Sequence, residues 1–187
     1  MPTPCSPEAV RYDRRTISLH WITAALVVLL WGVAHLIDDF PRGLPRISVR
    51  SIHIVLGVIL LLVVGMRLLW RLTRGARLAP ARAGIVGWLS RGAHASLYAL
   101  VLATLGLGVA NTWIRGDSIL GLFKIVSLAP GNTDLKEFVE YLHATAANAL
   151  VILASLHALA GLLHHFVLHD GVLQRMWPHK VMAARKE

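Results

Sequence analysis

The chain has 187 residues, of which 56% are hydrophobic and 16% charged, and its mean hydropathy is +0.60. A soluble domain of this size has too little interior to hide so many apolar side chains from water, whereas a bilayer can. Pro is only 8 and the apolar residues come in long blocks rather than heptads, which excludes disordered, collagen-like and coiled-coil chains. The net charge of +9 does not point to nucleic acid, because the basic residues sit between apolar blocks and not on one polar face. One cysteine, Cys5, excludes an internal disulfide, a four-thiolate cluster and covalently attached haem, so any haem here is held non-covalently.

A hydrocarbon layer of about 30 Å requires about 20 helical residues, and four runs of that kind follow one another along the chain. The first is 17–37, ended by Asp38, Asp39 and Pro41; its 21 residues, internal His and Trp, and lack of a following A-x-A site argue against a removable signal peptide. The second is 52–72, with Arg71 and Arg74 at its end; the third is about 88–113 and the fourth about 138–168. The fourth is the longest, so it should tilt or project beyond the lipid. These runs predict an all-α, four-transmembrane-helix bundle forming one integral-membrane domain over 1–187.

Lys and Arg in the connecting segments set the expected orientation. With the N-terminus inside, the cytoplasmic set is Arg11, Arg14, Arg15, Arg67, Arg71, Arg74, Arg77, Arg82, Arg91, Arg175, Lys180, Arg185 and Lys186, which is 13, against 6 outside: Arg42, Arg46, Arg50, Arg115, Lys124 and Lys136. Four spans return the C-terminus to the cytoplasm. Most of the six tryptophans lie near span ends, where interfacial aromatics belong.

Eight of the ten histidines, namely His20, His35, His53, His94, His143, His157, His164 and His165, fall within or at the edges of the spans. Ionisable side chains are rare there and usually functional. Neutral imidazole is the usual axial ligand of haem iron and binds several other metals. His143 and His157 are 14 residues apart, a rise of about 21 Å and a rotation about 40° short of four turns, so they share one helix face at two depths. Partners at matching depths are His20, which opens the first span on the inner side, and His53, which opens the second on the outer side. Two cross-helix pairs result, His20 with His157 and His53 with His143. Side chains on facing helices commonly build cofactor sites in bundle cores, and two stacked sites would conduct electrons.

The residue four positions after each of these histidines is small: Ala24, Gly57, Ala147 and Gly161. A flat macrocycle needs such room beside its ligand, although small residues also serve helix contacts in membranes. His35 stays open as an alternative to His53. Each histidine could also be a hydrogen-bonded packing residue or an interfacial anchor. His94, His164 and His165 lie toward the cytoplasmic half, suited to bonding haem propionates, lining a quinone pocket or carrying protons; His164 and His165 are about 100° apart on the helix and cannot both face the bundle. His169 and His179 are expected on the surface. Arg67 either snorkels to the interface or pairs with a propionate of an inner haem, and Arg71 snorkels. Arg50, Lys124 and Lys136, with Arg46 and Arg115, form a cationic outer mouth that either attracts a small anionic donor or serves ordinary solubility.

The segments Arg14 to Trp21 (RRTISLHW), His53 to Gly57 with Met66 to Leu72 (MRLLWRL), Tyr141 to Asn148 (YLHATAAN) and Leu156 to Phe166 (LHALAGLLHHF) resemble the bacterial cytochrome b561 family of small inner-membrane di-haem proteins. The resemblance implies two b-type haems ligated by His20, His53, His143 and His157, and a quinone, ubiquinone, as electron partner. Some members are similar to a superoxide oxidase, which moves electrons from superoxide on the outer face through the haems to ubiquinone. Related b subunits serve hydrogenases and other dehydrogenases, so a membrane anchor carrying electrons for a redox partner subunit is the alternative, with a homodimer also open. A histidine-lined metal or proton transporter is the third reading; it lacks the mid-span carboxylates such a protein would carry.

Overall fold

The structure, a computed structural model, describes residues 11–75 and 84–177. Cys5, Arg77, Arg82, His179, Lys180, Arg185 and Lys186 lie outside these described residues. Four long helices follow in order: α1 (Arg14–Leu36), α2 (Leu44–Thr73), α3 (Ile85–Arg115) and α4 (Thr133–Phe166). Each is long and apolar enough to cross a membrane. All four begin or end beyond the apolar runs, because polar first and last turns remain helical where they leave hydrocarbon. At 34 residues α4 is the longest, about 51 Å at 1.5 Å per residue, so it extends beyond the lipid as its sequence predicts.

Helix ends follow from local chemistry. Asp13 caps α1, its carboxylate accepting from the Thr16 amide at 3.0 Å and from the Thr16 hydroxyl at 2.6 Å. The same carboxylate accepts the Trp70 indole N–H at 3.1 Å, so one acidic side chain both starts α1 and ties it to the end of α2. Asn132 caps α4 through the Leu135 amide at 3.0 Å. Gly116 closes α3 with φ of 67°, and a Cβ there would lie 2.9 Å from Ser127 Cβ, so the turn requires glycine on two counts.

Between α3 and α4 the chain forms a short antiparallel hairpin, β1 (Ser118–Ile119) with β2 (Phe123–Lys124), in which Ser118 opposes Lys124 and Ile119 opposes Phe123. Fully buried Ser51 pins it to α2: its hydroxyl accepts from the Leu120 amide at 2.8 Å and donates to the Ile47 carbonyl at 2.7 Å. The bundle therefore has a β-hairpin end and a terminal end, where α1 starts and α4 finishes. At the terminal end a 3₁₀ turn, Leu173–Met176, folds back on the bundle; the Trp21 indole donates to the Met176 carbonyl at 2.8 Å and the Tyr12 amide to the Arg175 carbonyl at 3.1 Å.

Helices α1 and α2 pack closely as one pair and α3 and α4 as another, while the two pairs meet along a much sparser seam. Contact across the seam is concentrated at mid-height. There Leu30, Leu60, Val64, Val101, Leu105 and Leu150, from all four helices, make the buried apolar core. Trp31 adds a polar tie between the pairs, its indole N–H donating to the Asn148 side chain at 3.0 Å. The outward faces carry exposed Val28, Leu62, Leu69, Ile152 and Leu159, the surface a lipid-facing bundle needs. Asp13→Ala removes both the α1 cap and the Trp70 tie, and should cost about 1 kcal/mol, read as a lower midpoint in thermal unfolding of the detergent-solubilised protein, with Asp13→Asn closer to the parent.

Candidate functional site

The seam opens above and below the mid-height core, and histidines of different helices face each other in both openings. At the terminal end the rings of His20 on α1 and His157 on α4 have centroids 6.5 Å apart with planes 81° to one another. At the β-hairpin end His53 on α2 and His143 on α4 are 6.2 Å apart at 85°. Leu150 of the core lies seven residues from each α4 histidine, so an apolar layer separates the two levels. Two imidazoles binding one ion from opposite sides through bonds of about 2.0 Å leave their centroids about 6 Å apart, and both gaps have that width.

The rings are held differently. His143 Nδ1 lies 3.0 Å from the Thr104 carbonyl, so Nδ1 carries the hydrogen and Nε2 keeps its lone pair toward His53, the usual arrangement of a metal-ligating imidazole. One turn along α3, Gly108 allows the ring to sit there: a Cβ at this position would come 3.1 Å from His143 Cε1. His53 Nδ1 is buried without a hydrogen-bond partner. A Cβ on Gly57, one turn beyond His53, would meet nothing within 4 Å, so space flanks the ring on its own helix. At the other level Arg67 Nη2 donates to His20 Nδ1 at 3.1 Å, while the guanidinium lies 5.3 Å from the centre of the Tyr98 ring. In that contact the neutral His20 ring carries its hydrogen on Nε2. An ion bound at Nε2 requires the other tautomer and sends Arg67 to another acceptor.

The remaining sequence candidates are placed unevenly. His35 is exposed, its ring 4.3 Å from that of Trp31 at a tilt of 52°, with Nδ1 against the Trp31 carbonyl at 2.8 Å, and it joins neither pair. His94 on α3 approaches His157, with centroids 5.1 Å apart, closer than two ligands on opposite sides of one ion stand, while its Nδ1 bonds the Ser90 carbonyl at 2.6 Å. His165 meets the ring of Phe166 edge-on at 4.8 Å, and His164 pairs with Asp170 at 2.5 Å. Sequence reasoning missed Thr104, Gly108 and Asp170. The third span carries neither member of the two pairs, so nothing drew attention to its small residues, and Asp170 lies beyond the last apolar run.

Above the His53/His143 level lies a cavity of about 330 Å³ lined by Arg50, Arg115, Asp117, Thr133, Lys136 and Glu137. Arg50 is three residues before His53, a rise of about 4.5 Å, which puts the cavity about one turn above the pair. Asp117 Oδ1 bridges Arg115 at 3.6 Å and Arg50 at 3.7 Å, and Arg115 also pairs with Glu140. Burial raises the Asp117 carboxyl above the usual carboxylate range, against the opposing pull of Arg115 and Arg50. Lys136 lines the cavity and forms no salt bridge among the described residues, whereas Lys124 stands on β2 and is not among the residues of its wall. Asp117 was also missed; the signal was a lone acid directly after the helix-closing Gly116.

A four-helix membrane bundle with imidazoles paired across its seam is the architecture of a membrane cytochrome b. The family model described as prokaryotic cytochrome b561 matches residues 11–179. The chain is 31% identical over 172 residues to the probable superoxide oxidase CybB of Yersinia pestis, covering 91% of this chain and 97% of that protein. It is 30% identical over 178 residues to cytochrome b561 homolog 1 of Escherichia coli strain K12, covering 91% and 98%. It is 29% identical over 171 residues to cytochrome b562 of Cereibacter sphaeroides, covering 88% and 94%. The chain belongs to the prokaryotic cytochrome b561 family: a multi-pass membrane cytochrome and oxidoreductase that carries electrons and uses b-type haem.

The residues present fit a b-type haem at the His53/His143 level: the gap has the width of two axial bonds, the His143 tautomer directs Nε2 inward, and Gly57 spares room. The His20/His157 level has the same width and fits with a change of tautomer at His20. Gly108→Val should displace the His143 ring and lower the haem absorbance per protein, whereas Gly106→Ala, where an added Cβ meets nothing within 4 Å, should retain the parent value; a haem-to-protein ratio from the reduced spectrum checks both.

Proposed function

We propose that this chain holds two b-type haems, one between His20 and His157 and one between His53 and His143, and moves electrons across the bacterial inner membrane from superoxide to ubiquinone. The observation that carries the reading is the pair of imidazole gaps, 6.5 Å and 6.2 Å, stacked along one face of α4. A haem held by these histidines would supply one-electron transfer, and the four imidazoles would fix its two places in the bundle. The likeness to a relative named as a probable superoxide oxidase supports the choice of donor. The basic bias of the terminal end supports cytoplasmic termini, which puts the β-hairpin end outside.

In this reading the chain's own residues do five things. The four histidines fix the two levels, and the Leu30–Leu150 layer keeps water from between them. Arg50, Arg115 and Lys136 supply three positive charges at the outer cavity against two negative charges, Asp117 and Glu137, so a small anion is drawn to the mouth about one turn above the outer pair. Asp117 holds the two guanidinium groups in place, which leaves Lys136 as the cation on that wall with the greatest freedom to meet an incoming anion. At the inner level Arg67, on leaving His20 Nδ1, is placed to pair with a propionate. Lys124, off the cavity wall, contributes only to the distant field.

The reduced-minus-oxidised spectrum should give two haems per chain, and His53→Ala should lose one of them and keep the other; retention of both would reject the ligand assignment. Lys136→Glu should slow superoxide oxidation several-fold at low ionic strength, an effect that fades as salt rises through about 0.1 M, with haem content unchanged. A protein with both haems that passes electrons to ubiquinone from a partner dehydrogenase but never from superoxide belongs to the membrane-anchor reading instead.

A further inference from the structure

The segment between α3 and α4 is too apolar for a connection that stands in water. Residues 119–130 read ILGLFKIVSLAP, with Lys124 as their single charge, whereas the short α1–α2 connection carries Asp38, Asp39 and Arg42. A run of that length cannot cross a hydrocarbon layer and is typical of buried or interfacial segments. This one is not buried: Leu122 and Val126 are 80% and 82% exposed, and Leu120, Phe123 and Leu128 are exposed with them.

The backbone presents these side chains outward against its own preference. Leu120 and Gly121 take successive positive φ angles of 52° and 73°, and the Leu122 amide donates to the Ile119 carbonyl at 2.9 Å. Such hairpin turns favour Asn-Gly, and a leucine in the left-handed region is an outlier, held here by the bond from its amide to the buried Ser51 hydroxyl. After the turn the side chains alternate, with Ile125 and Ser127 half-buried and Val126 and Leu128 outward. An extended segment with one face in water places polar residues on that face, yet the outward residues here are aliphatic.

Helix α3 fixes the depth of the hairpin. The Ile125 amide donates to the Asp117 carbonyl and the Leu128 amide to the Trp113 carbonyl, both at 3.0 Å, and the Ser127 hydroxyl donates to the Ile114 carbonyl at 2.7 Å. Leu128 is thereby level with Trp113, an exposed tryptophan at the end of a membrane-crossing helix, where such side chains mark the border between headgroups and acyl chains. On its other side the turn reaches exposed Leu44 at the start of α2, since a Cβ on Gly121 would lie 3.5 Å from Leu44 Cδ2. The hairpin thus continues the exposed apolar surface of both helices.

We propose that residues 119–128 are an interfacial element seated in the leaflet at the β-hairpin end, with Leu122, Phe123, Val126 and Leu128 among the upper acyl chains and Lys124 extended back to the headgroups. Lipid is the occupant because the patch is level with Trp113 and joins surfaces that the membrane-crossing helices already give to lipid; a soluble partner would have to displace lipid to reach Leu128. The hairpin belongs by chain to the α3/α4 pair and by its Ser51 bonds to α2, so it bridges the seam on the side of the His53/His143 level. Seated in lipid, it straps the two helix pairs together there.

The test uses the full-length, haem-loaded protein in vesicles of phosphatidylcholine and phosphatidylglycerol. Nitroxide labels on Leu122→Cys and Val126→Cys, each combined with Cys5→Ser, should collide several-fold more with oxygen, relative to a water-soluble nickel chelate, than a label on Arg42→Cys, and should approach the ratio of Leu62→Cys on the lipid-facing side of α2. A haem-to-protein ratio at the parent value certifies each labelled protein. Collision ratios at 122 and 126 equal to that at 42 overturn the proposal by placing the hairpin in water, and labels shielded from both reagents overturn it in favour of a face covered by a second copy of the chain. The unsubstituted protein gives an independent reading: a phospholipid carrying a diazirine on its acyl chain should label residues within 119–130, located by mass spectrometry after proteolysis. Label confined to the four helices overturns the proposal.

Discussion

Imidazoles from separate helices face each other across a seam that the rest of the bundle leaves open, and everything else in this fold serves that spacing. In lipid there is no hydrophobic force pressing helices together, so association depends on close packing and on a few polar ties. The chain uses both within each helix pair and few between the pairs: the mid-height leucines, the Trp31–Asn148 hydrogen bond and the terminal ties through Trp21 and Tyr12. Haem bound between α4 and its partners would supply the missing contact. Binding of that cofactor would then add to the stability of the bundle.

The two levels are alike in width and unlike in chemistry. His143 is set by a carbonyl and a glycine, groups that keep its tautomer fixed. His20 is held by a guanidinium, which favours the opposite tautomer and must move when an ion binds. The level under the cationic cavity is therefore the more preorganised of the two, and the level near the His164–Asp170 dyad the more adjustable.

The outer cavity shows how acids tune a basic mouth. Asp117 is buried enough that its carboxyl is pushed upward despite two neighbouring arginines, so it carries its charge at a cost and in return fixes both guanidinium groups. The β-hairpin follows directly on Asp117, and Ser51, two residues before His53, clamps it to the helix that bears the outer histidine.

Much of this was legible in the sequence. Long apolar blocks can hide their backbone polar groups from lipid only as helices, so the four helices were determined by composition and length. The pairing of His20 with His157 and of His53 with His143 was also readable, because a helix has a fixed rise and rotation and α4 carries both members at matching depths. Tertiary structure decided the rest. Whether His35 or His53 faced α4 depended on how α1 turned about its axis, and a span that is apolar on every side gives no signal for that rotation. Lys124 was grouped with Arg50 and Lys136 because all three lie in outer segments, yet only the path of the hairpin took it off the cavity wall. Thr104, Gly108, Asp117 and Asp170 act on partners distant in the chain or across a reversing turn, and no periodicity marks a residue whose role is to meet another element.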